Sequence, residues 1–303
     1  LLESLGAIIL ATRFCPRFGF WPGVWFSVFH SVSAFCNAGF SVFSNSFESF
    51  TGDVLVNTVL IFLIILGGLG FLVLYESGEK ISSSVRGRTL RISLHTRIVL
   101  TVTLLLIFGG FVLFLFLEWN GALAAFAPGQ KITAALFQVV TARTAGFNTI
   151  AVNSLGSGTV FLLILLMFIG ASPGSTGGGV KTSTLGIVMA FLKSKISARE
   201  SVSLFRRTLP MELIMKAFSL IFLAMAVIVM ASFVILVNQP EFSMKEVFFE
   251  VVSAFGTVGL SLGITPRLSP FSKTVIILTM YIGRIGPLTL LYAFSRRKAF
   301  GKY

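Results

Sequence analysis

Three short glycine strips, each trailing an amphipathic segment and followed by an apolar stretch, restrict this chain more than any other feature. They read Ser33-Ala34-Phe35-Cys36-Asn37-Ala38-Gly39-Phe40, Thr141-Ala142-Arg143-Thr144-Ala145-Gly146-Phe147 and Ser253-Ala254-Phe255-Gly256-Thr257-Val258-Gly259-Leu260. Gly39, Gly146 and Gly259 recur about 110 residues apart, the spacing of a supersecondary unit repeated in tandem. Segments 54–75, 98–117, 158–180 and 217–237 carry no charged residue, and each is long enough to cross a hydrocarbon core of ~30 Å as a helix. Within a bilayer, extended backbone is tolerated only where it is buried in protein or lines a watery path. Half-helices that end in glycine strips therefore imply a path lined by peptide oxygens, the chemistry of a cation filter.

Composition agrees. The chain is 55% hydrophobic and only 12% charged, about half the charge of a soluble domain. Its +13 net charge could suggest nucleic acid. However, the Lys and Arg residues gather in 80–97, in 193–216 and after 294, alternating with acidic loops near 48–53, 118–131 and 241–246. That alternation follows the positive-inside rule and puts the basic loops in the cytoplasm of a multi-pass protein. No aromatic-interleaved basic patch appears, so nucleic acid is not an expected partner, whereas membrane lipid is. No leader with a cleavage site precedes the first apolar stretch. Two cysteines give no disulfide framework, and Cys36 reads as a small packing residue. His30 and His95 lack metal-ligand spacing and read as structural. No nucleophile–base pair, Cys/His cluster or phosphate-cradling glycine loop is present, so no enzyme is expected.

The three units share an order of outer helix, half-helix, strip and inner helix. Residues 1–78 form a partial unit: the end of an outer helix over 1–14, a half-helix over 28–36, a strip over 37–41 and an inner helix over 54–75. Residues 79–196 form a complete unit, with its outer helix at 98–117, half-helix at 132–143, strip at 144–148 and an inner segment from 159. Residues 197–303 supply an outer helix at 213–237, half-helix at 244–255, strip at 256–261, inner helix at 272–294 and a basic C-terminus. Half-helices of this length reach ~15–18 Å and aim a negative dipole end at the bilayer centre.

Residues 170–182, Gly170-Ala171-Ser172-Pro173-Gly174-Ser175-Thr176-Gly177-Gly178-Gly179-Val180-Lys181-Thr182, interrupt the second inner segment. Pro173 removes a donor and five glycines each weaken a helix by ~1 kcal/mol, so this run cannot stay helical. A plain turn would leave both flanks too short to span.

The strips, this run and Gly283-Arg284-Ile285-Gly286-Pro287-Leu288-Thr289 together resemble the Trk/Ktr/HKT superfamily of potassium transporters, most nearly its Ktr branch. The resemblance implies an all-α polytopic membrane protein of four repeats with pseudo-fourfold symmetry around an ion pore. Three strips do not close a fourfold ring, so it also implies a further half-helix and strip ahead of Leu1. It implies a filter in which backbone carbonyls of Asn37, Ala38, Gly39, Thr144, Ala145, Gly146, Thr257, Val258 and Gly259 bind potassium. The gate would comprise Gly170, Pro173, Gly174, Gly177, Gly178, Gly179, Lys181 and Arg284. Arg284 has ten uncharged residues on each side, and a charge at such depth, costing at least ~2.5 kcal/mol, marks function. An ion pair between Arg143 and Glu250 is expected to brace two half-helices. Further expectations are uptake across the plasma membrane, sodium as a possible coupling ion, a homodimer and a cytosolic ring of nucleotide-binding regulatory subunits. The alternatives are a sodium-permeable transporter of the HKT kind and a non-conducting scaffold of the same fold.

Overall fold

A computed structural model describes residues 1–86, 90–198, 201–205 and 207–286. Pro287–Thr289 of the C-terminal motif, the remainder of segment 272–294 and the basic tail lie outside the described residues. The chain begins with α1 (Leu2–Phe18), which turns at Gly19 into α2 (Phe20–Phe35). Gly19 adopts φ 89°, a conformation that suits glycine. α2 folds back along α1 so closely that a β-carbon on Gly23 would lie 2.5 Å from the Cys15 Cα. Both helices outrun the expected segments 1–14 and 28–36. Residues 20–27 carry no charge, and Pro22 sits in the first turn of α2, where its missing N–H costs nothing.

α3 (Val54–Leu69) starts at Asp53, whose carboxylate accepts the Leu55 and Val56 N–H groups, each at 3.1 Å. The sequence predicts one helix over 54–75. Instead α3 stops at Gly70, and α4 (Phe71–Val85) leaves at 105°. The cause is the glycine-rich end: Gly70 adopts φ 87°, and the Gly67 and Gly68 carbonyls turn to partners outside the helix.

α5 (Leu94–Glu118) is long and apolar enough to cross a bilayer. α6 (Pro128–Thr141) is the second half-helix, α7 (Ser157–Phe168) is a short apolar helix, and α8 (Thr182–Ile196) follows the glycine run. A small hairpin, β1 (Ser203–Leu204) with β2 (Arg207–Thr208), leads into the membrane-length α9 (Met211–Asn238). α10 (Met244–Gly256) is the third half-helix. Its start is fixed by a capping box in which Ser243 Oγ accepts the Glu246 N–H and the Glu246 carboxylate accepts the Ser243 N–H. α11 (Pro270–Ile285) ends at Gly286, φ 93°.

The two largest apolar cores among the described residues hold most of the elements in place. One joins α5, α6, α7, α9 and α10 through residues such as Phe114, Leu163, Ile228 and Phe249. The other joins α1, α2, α3 and α6 around Phe14, Phe47, Phe50 and Phe137. His30 belongs to this second core, stacked 4.7 Å from Phe43. Its Nε2 accepts the Val42 N–H, so Nδ1 carries the proton that it donates to Phe26 O at 2.8 Å. Its role is to fix the loop after the first strip. Cys36 departs from expectation: it is exposed, because the C-cap turn of α2 aims its thiol outward toward the Glu3 carboxylate, 3.9 Å away. The buried Glu118 carboxylate is fully engaged. It accepts the Ala122 and Gly156 N–H groups, both at 2.9 Å, and the Thr159 hydroxyl at 2.5 Å, locking the end of α5 to the start of α7. Leu104, Phe108, Phe116, Phe222, Met230 and Phe233 face outward from α5 and α9, as bilayer contact requires.

Candidate functional site

The half-helices α2, α6 and α10 each end in a strip with the same backbone signature. Asn37, Thr144 and Thr257 adopt φ values of 49°, 81° and 52°, and Gly39, Gly146 and Gly259, two residues on, adopt 71°, 83° and 94°. A left-handed non-glycine residue costs ~1–2 kcal/mol, so its recurrence at one place in each strip is a built feature. A hydroxyl from the last turns of each half-helix ties the strip down. Ser33 Oγ donates to Phe40 O at 2.8 Å, Thr141 Oγ1 donates to Phe147 O at 2.7 Å, and Ser253 Oγ accepts the Gly259 N–H at 3.2 Å. Ala38, Ala145 and Val258 donate their N–H groups to the carbonyls of the same three residues.

The strips lie side by side in chain order. A β-carbon on Gly39 would collide with the Ala145 carbonyl oxygen, and one on Gly146 would collide with the Val258 carbonyl oxygen. Each glycine thus leaves room for the peptide oxygen of the next strip. Gly259 breaks the series: a β-carbon there would meet nothing nearer than the Gly146 Cα at 3.8 Å, and among the described residues no further strip faces it.

The glycine run 170–181 passes directly against this assembly. Its consecutive residues Thr176, Gly177 and Gly178 meet the left-handed residue of the first, second and third strips in turn. The Asn37 amide lies 3.2 Å from Thr176 Oγ1. With its oxygen turned to Thr176 Oγ1 and the Gly68 N–H, its nitrogen reaches Ala34 O. A β-carbon on Gly177 would overlap the Thr144 side chain, and the Gly178 N–H donates to Thr257 Oγ1 at 3.0 Å.

The other side of the run is sewn to the broken inner helices. The Ser172 and Thr176 N–H groups donate to Gly68 O and Gly67 O at 3.0 and 3.4 Å, and the Phe71 N–H donates to Gly174 O at 3.2 Å. The Pro173 carbonyl packs against Gly70, and Gly170 backs onto the Gly178 carbonyl. The Gly179 N–H reaches Gly283 O at 3.3 Å. Two cations finish the set: Arg284 donates to Thr176 O, and Lys181 Nζ donates to Gly177 O at 2.7 Å. These bonds meet the requirement that irregular backbone at membrane depth be satisfied by protein. A cavity of 340 Å³ opens on one side of the strips, with Glu48, Gly146, Asn148, Gly259 and Ser261 in its wall. A 200 Å³ cavity on the loop side includes Gly179, Lys181, Phe255, Gly283 and Arg284.

All the expected filter and gate residues therefore stand within one assembly. Thr176, the Glu48–Asn148 contact (2.7 Å) and the notch glycines Gly67 and Gly283, which receive the Phe35 and Phe255 carbonyls at the tips of α2 and α10, belong to the assembly as well but are not among the expected site residues. A matching G-x-x-G at Gly67/Gly70 and Gly283/Gly286 was the available signal for the notches.

The Arg143–Glu250 brace is not formed. The Glu250 carboxylate accepts the Ser261 hydroxyl at 2.8 Å and the Thr265 hydroxyl. Arg143 is buried beside Ile64, Gly68 and Thr103 with its Nε unpartnered among the described residues. α6 packs on α3 and α5, the side to which Arg143 turns, whereas the Glu250 carboxylate turns to residues that follow the third strip, so the two side chains do not meet. A double-mutant cycle of Arg143→Gln and Glu250→Gln, read by thermal unfolding, should give a coupling below about 0.5 kcal/mol. A coupling above that would restore the pair.

This architecture is that of a polytopic helical membrane protein, and the chain belongs to the TrkH family of cation transport proteins, whose model matches residues 5–302. It is 37% identical over 297 residues to the Ktr system potassium uptake protein B of Bacillus subtilis, a match covering 97% of this chain and 65% of that relative. It is 39% identical over 311 residues to the potassium/sodium uptake protein NtpJ of Enterococcus hirae, covering 100% and 68%. The crystal structure of the potassium transporter TrkH from Vibrio parahaemolyticus shares the fold, with a TM-score of 0.76 at 21% identity over 97% of this chain and 62% of that one. The chain spans about two thirds of the length of these relatives.

Proposed function

We propose that this chain forms most of the wall of a potassium-conducting pore in the plasma membrane, with its basic loops in the cytoplasm. The observation that carries this reading is the strip assembly, in which Gly39 and Gly146 each make room for the next strip's peptide oxygen. In such a filter the carbonyls of Asn37, Ala38, Gly39, Thr144, Ala145, Gly146, Thr257, Val258 and Gly259 would replace the hydration shell of the ion. A fourth strip beside Gly259 would complete a pseudo-fourfold ring. The run 170–181, held by Lys181 and Arg284, would act as the gate, and units 1–78, 79–196 and 197–303 would be the repeats. A homodimer and a cytosolic nucleotide-binding regulatory ring, the partners that the resemblance to the Ktr branch implies, would complete the system.

The test is Gly259→Ser in the full-length protein. The site has space for the side chain, and φ 94° costs strain without collision. The expected result is a potassium-over-sodium preference reduced at least about fivefold, roughly 1 kcal/mol, in proteoliposome uptake. An unchanged ratio would remove Gly259 from the filter. Sodium permeation is the second reading, favoured by the kinship to a protein named for potassium and sodium uptake. Equal rates for the two ions in the unmodified protein would select it.

A further inference from the structure

We infer that the groove between α5 and α8 binds an anionic phospholipid from the cytoplasmic leaflet, one acyl chain along the groove and the phosphate at Lys193. The groove encloses 390 Å³, within the range of ligand pockets (~300–1,000 Å³). Its walls are Ile98 and Leu105 of α5 and Met189 of α8, and Gly186 forms the floor, where a β-carbon would overlap the Ile98 side chain. Lys193 lies at one end, seven residues beyond Gly186 on α8, and Arg97 precedes Ile98 on α5. Both cations belong to the end where α8 finishes and α5 begins, so an apolar trough ends in positive charge. That is the complement of an acyl chain with a negative head. Each basic group near an anionic lipid surface contributes ~1 kcal/mol, about fivefold in occupancy.

The hairpin closes the site. Leu204 and Phe205 line the groove from above, and Phe205 takes φ 51°, a conformation rare for a bulky side chain. The hairpin is anchored by the Leu209 N–H to Val202 O bond at 2.8 Å and by packing of Val202, Leu209 and Ile214 against Ala190. α8 begins one residue after Lys181, which holds the glycine run. A lipid seated here therefore braces the helix that leaves the gate.

The inference rests on the orientation proposed above, and its test does not use transport. The full-length protein is released from mixed phosphatidylglycerol–phosphatidylcholine vesicles into mild detergent and weighed intact by native mass spectrometry. Phosphatidylglycerol should be retained in preference to phosphatidylcholine. Lys193→Gln should lower that preference about fivefold, and Leu105→Trp, which fills the groove from an exposed position, should lower retention of both lipids. Equal retention of the two lipids by the unmodified protein overturns the proposal, as does unchanged retention in both variants. Loss of dimer mass in Leu105→Trp at a constant lipid count would assign the groove to a second copy of the chain and overturn it too. A protein that fails in uptake but keeps this preference sinks the transport reading alone.

Discussion

Gly146→Ala is expected to reduce cation uptake at least about 100-fold while the protein still reaches the membrane. The added methyl would enter the space held by the Val258 carbonyl oxygen, at a residue whose φ is 83°. The left-handed conformation alone costs an alanine ~1–2 kcal/mol. The larger effect is displacement of the neighbouring oxygen, since ion coordination depends on where that oxygen points. Gly39→Ala faces the same obstacle at the Ala145 carbonyl and should behave alike. Gly109→Ala is the control, because a β-carbon there meets nothing within 4 Å and an alanine favours the helix by ~1 kcal/mol. The readout is rubidium uptake normalised to membrane-inserted protein. Near-normal uptake by Gly146→Ala would exclude the second strip from the conduction path.

Arg284→Gln should raise flux about tenfold without regulatory activation. The guanidinium donates to the Thr176 carbonyl, and Lys181 holds the adjacent Gly177 carbonyl, so two positive charges stand beneath the strips. A unit charge ~10 Å from a passing cation raises its energy by ~1.7 kcal/mol at an effective dielectric constant of ~20. Removing it lowers that barrier and releases one tether of the run. Deleting 173–179 removes the obstruction itself and should exceed the single substitution. Wild-type flux in both variants, with normal insertion, would show that the run does not gate.

The strips were legible in the sequence because they need residues that little else needs. Glycine at 39, 146 and 259 marks a backbone that side chains penalise, and an apolar flank on each places it in the membrane. Segment 170–182 was legible for the converse reason, as no helix survives that density of glycine with a proline. Helix ends were less so. The apolar run 54–75 looks continuous; the glycines at 67, 68 and 70 permit a break, and the tertiary demand of the Ser172 and Thr176 N–H groups for the Gly68 and Gly67 carbonyls fixes the sharp bend at Gly70. The Arg143–Glu250 expectation failed because it needs to know which way each side chain faces: Arg143 turns to α3 and α5 and Glu250 to the loop after its own strip, and charge sign carries no such information. Asn37 and Thr257 were placed in the strips for their carbonyls. That their side chains also reach across to Thr176 and Gly178 is a pairing between distant segments with no periodic trace in either.

Because Thr176, Gly177 and Gly178 rest on three strips at once, the run cannot slip away from one strip and leave the others undisturbed. Whatever shifts it must let go of Asn37, Thr144 and Thr257 in a single event, and those same residues set the backbone turn of the strips that we propose as the filter. Leakiness and loss of ion discrimination should accordingly travel together, so a strain selected for uncontrolled uptake would be the natural place to look for poorer ion choice.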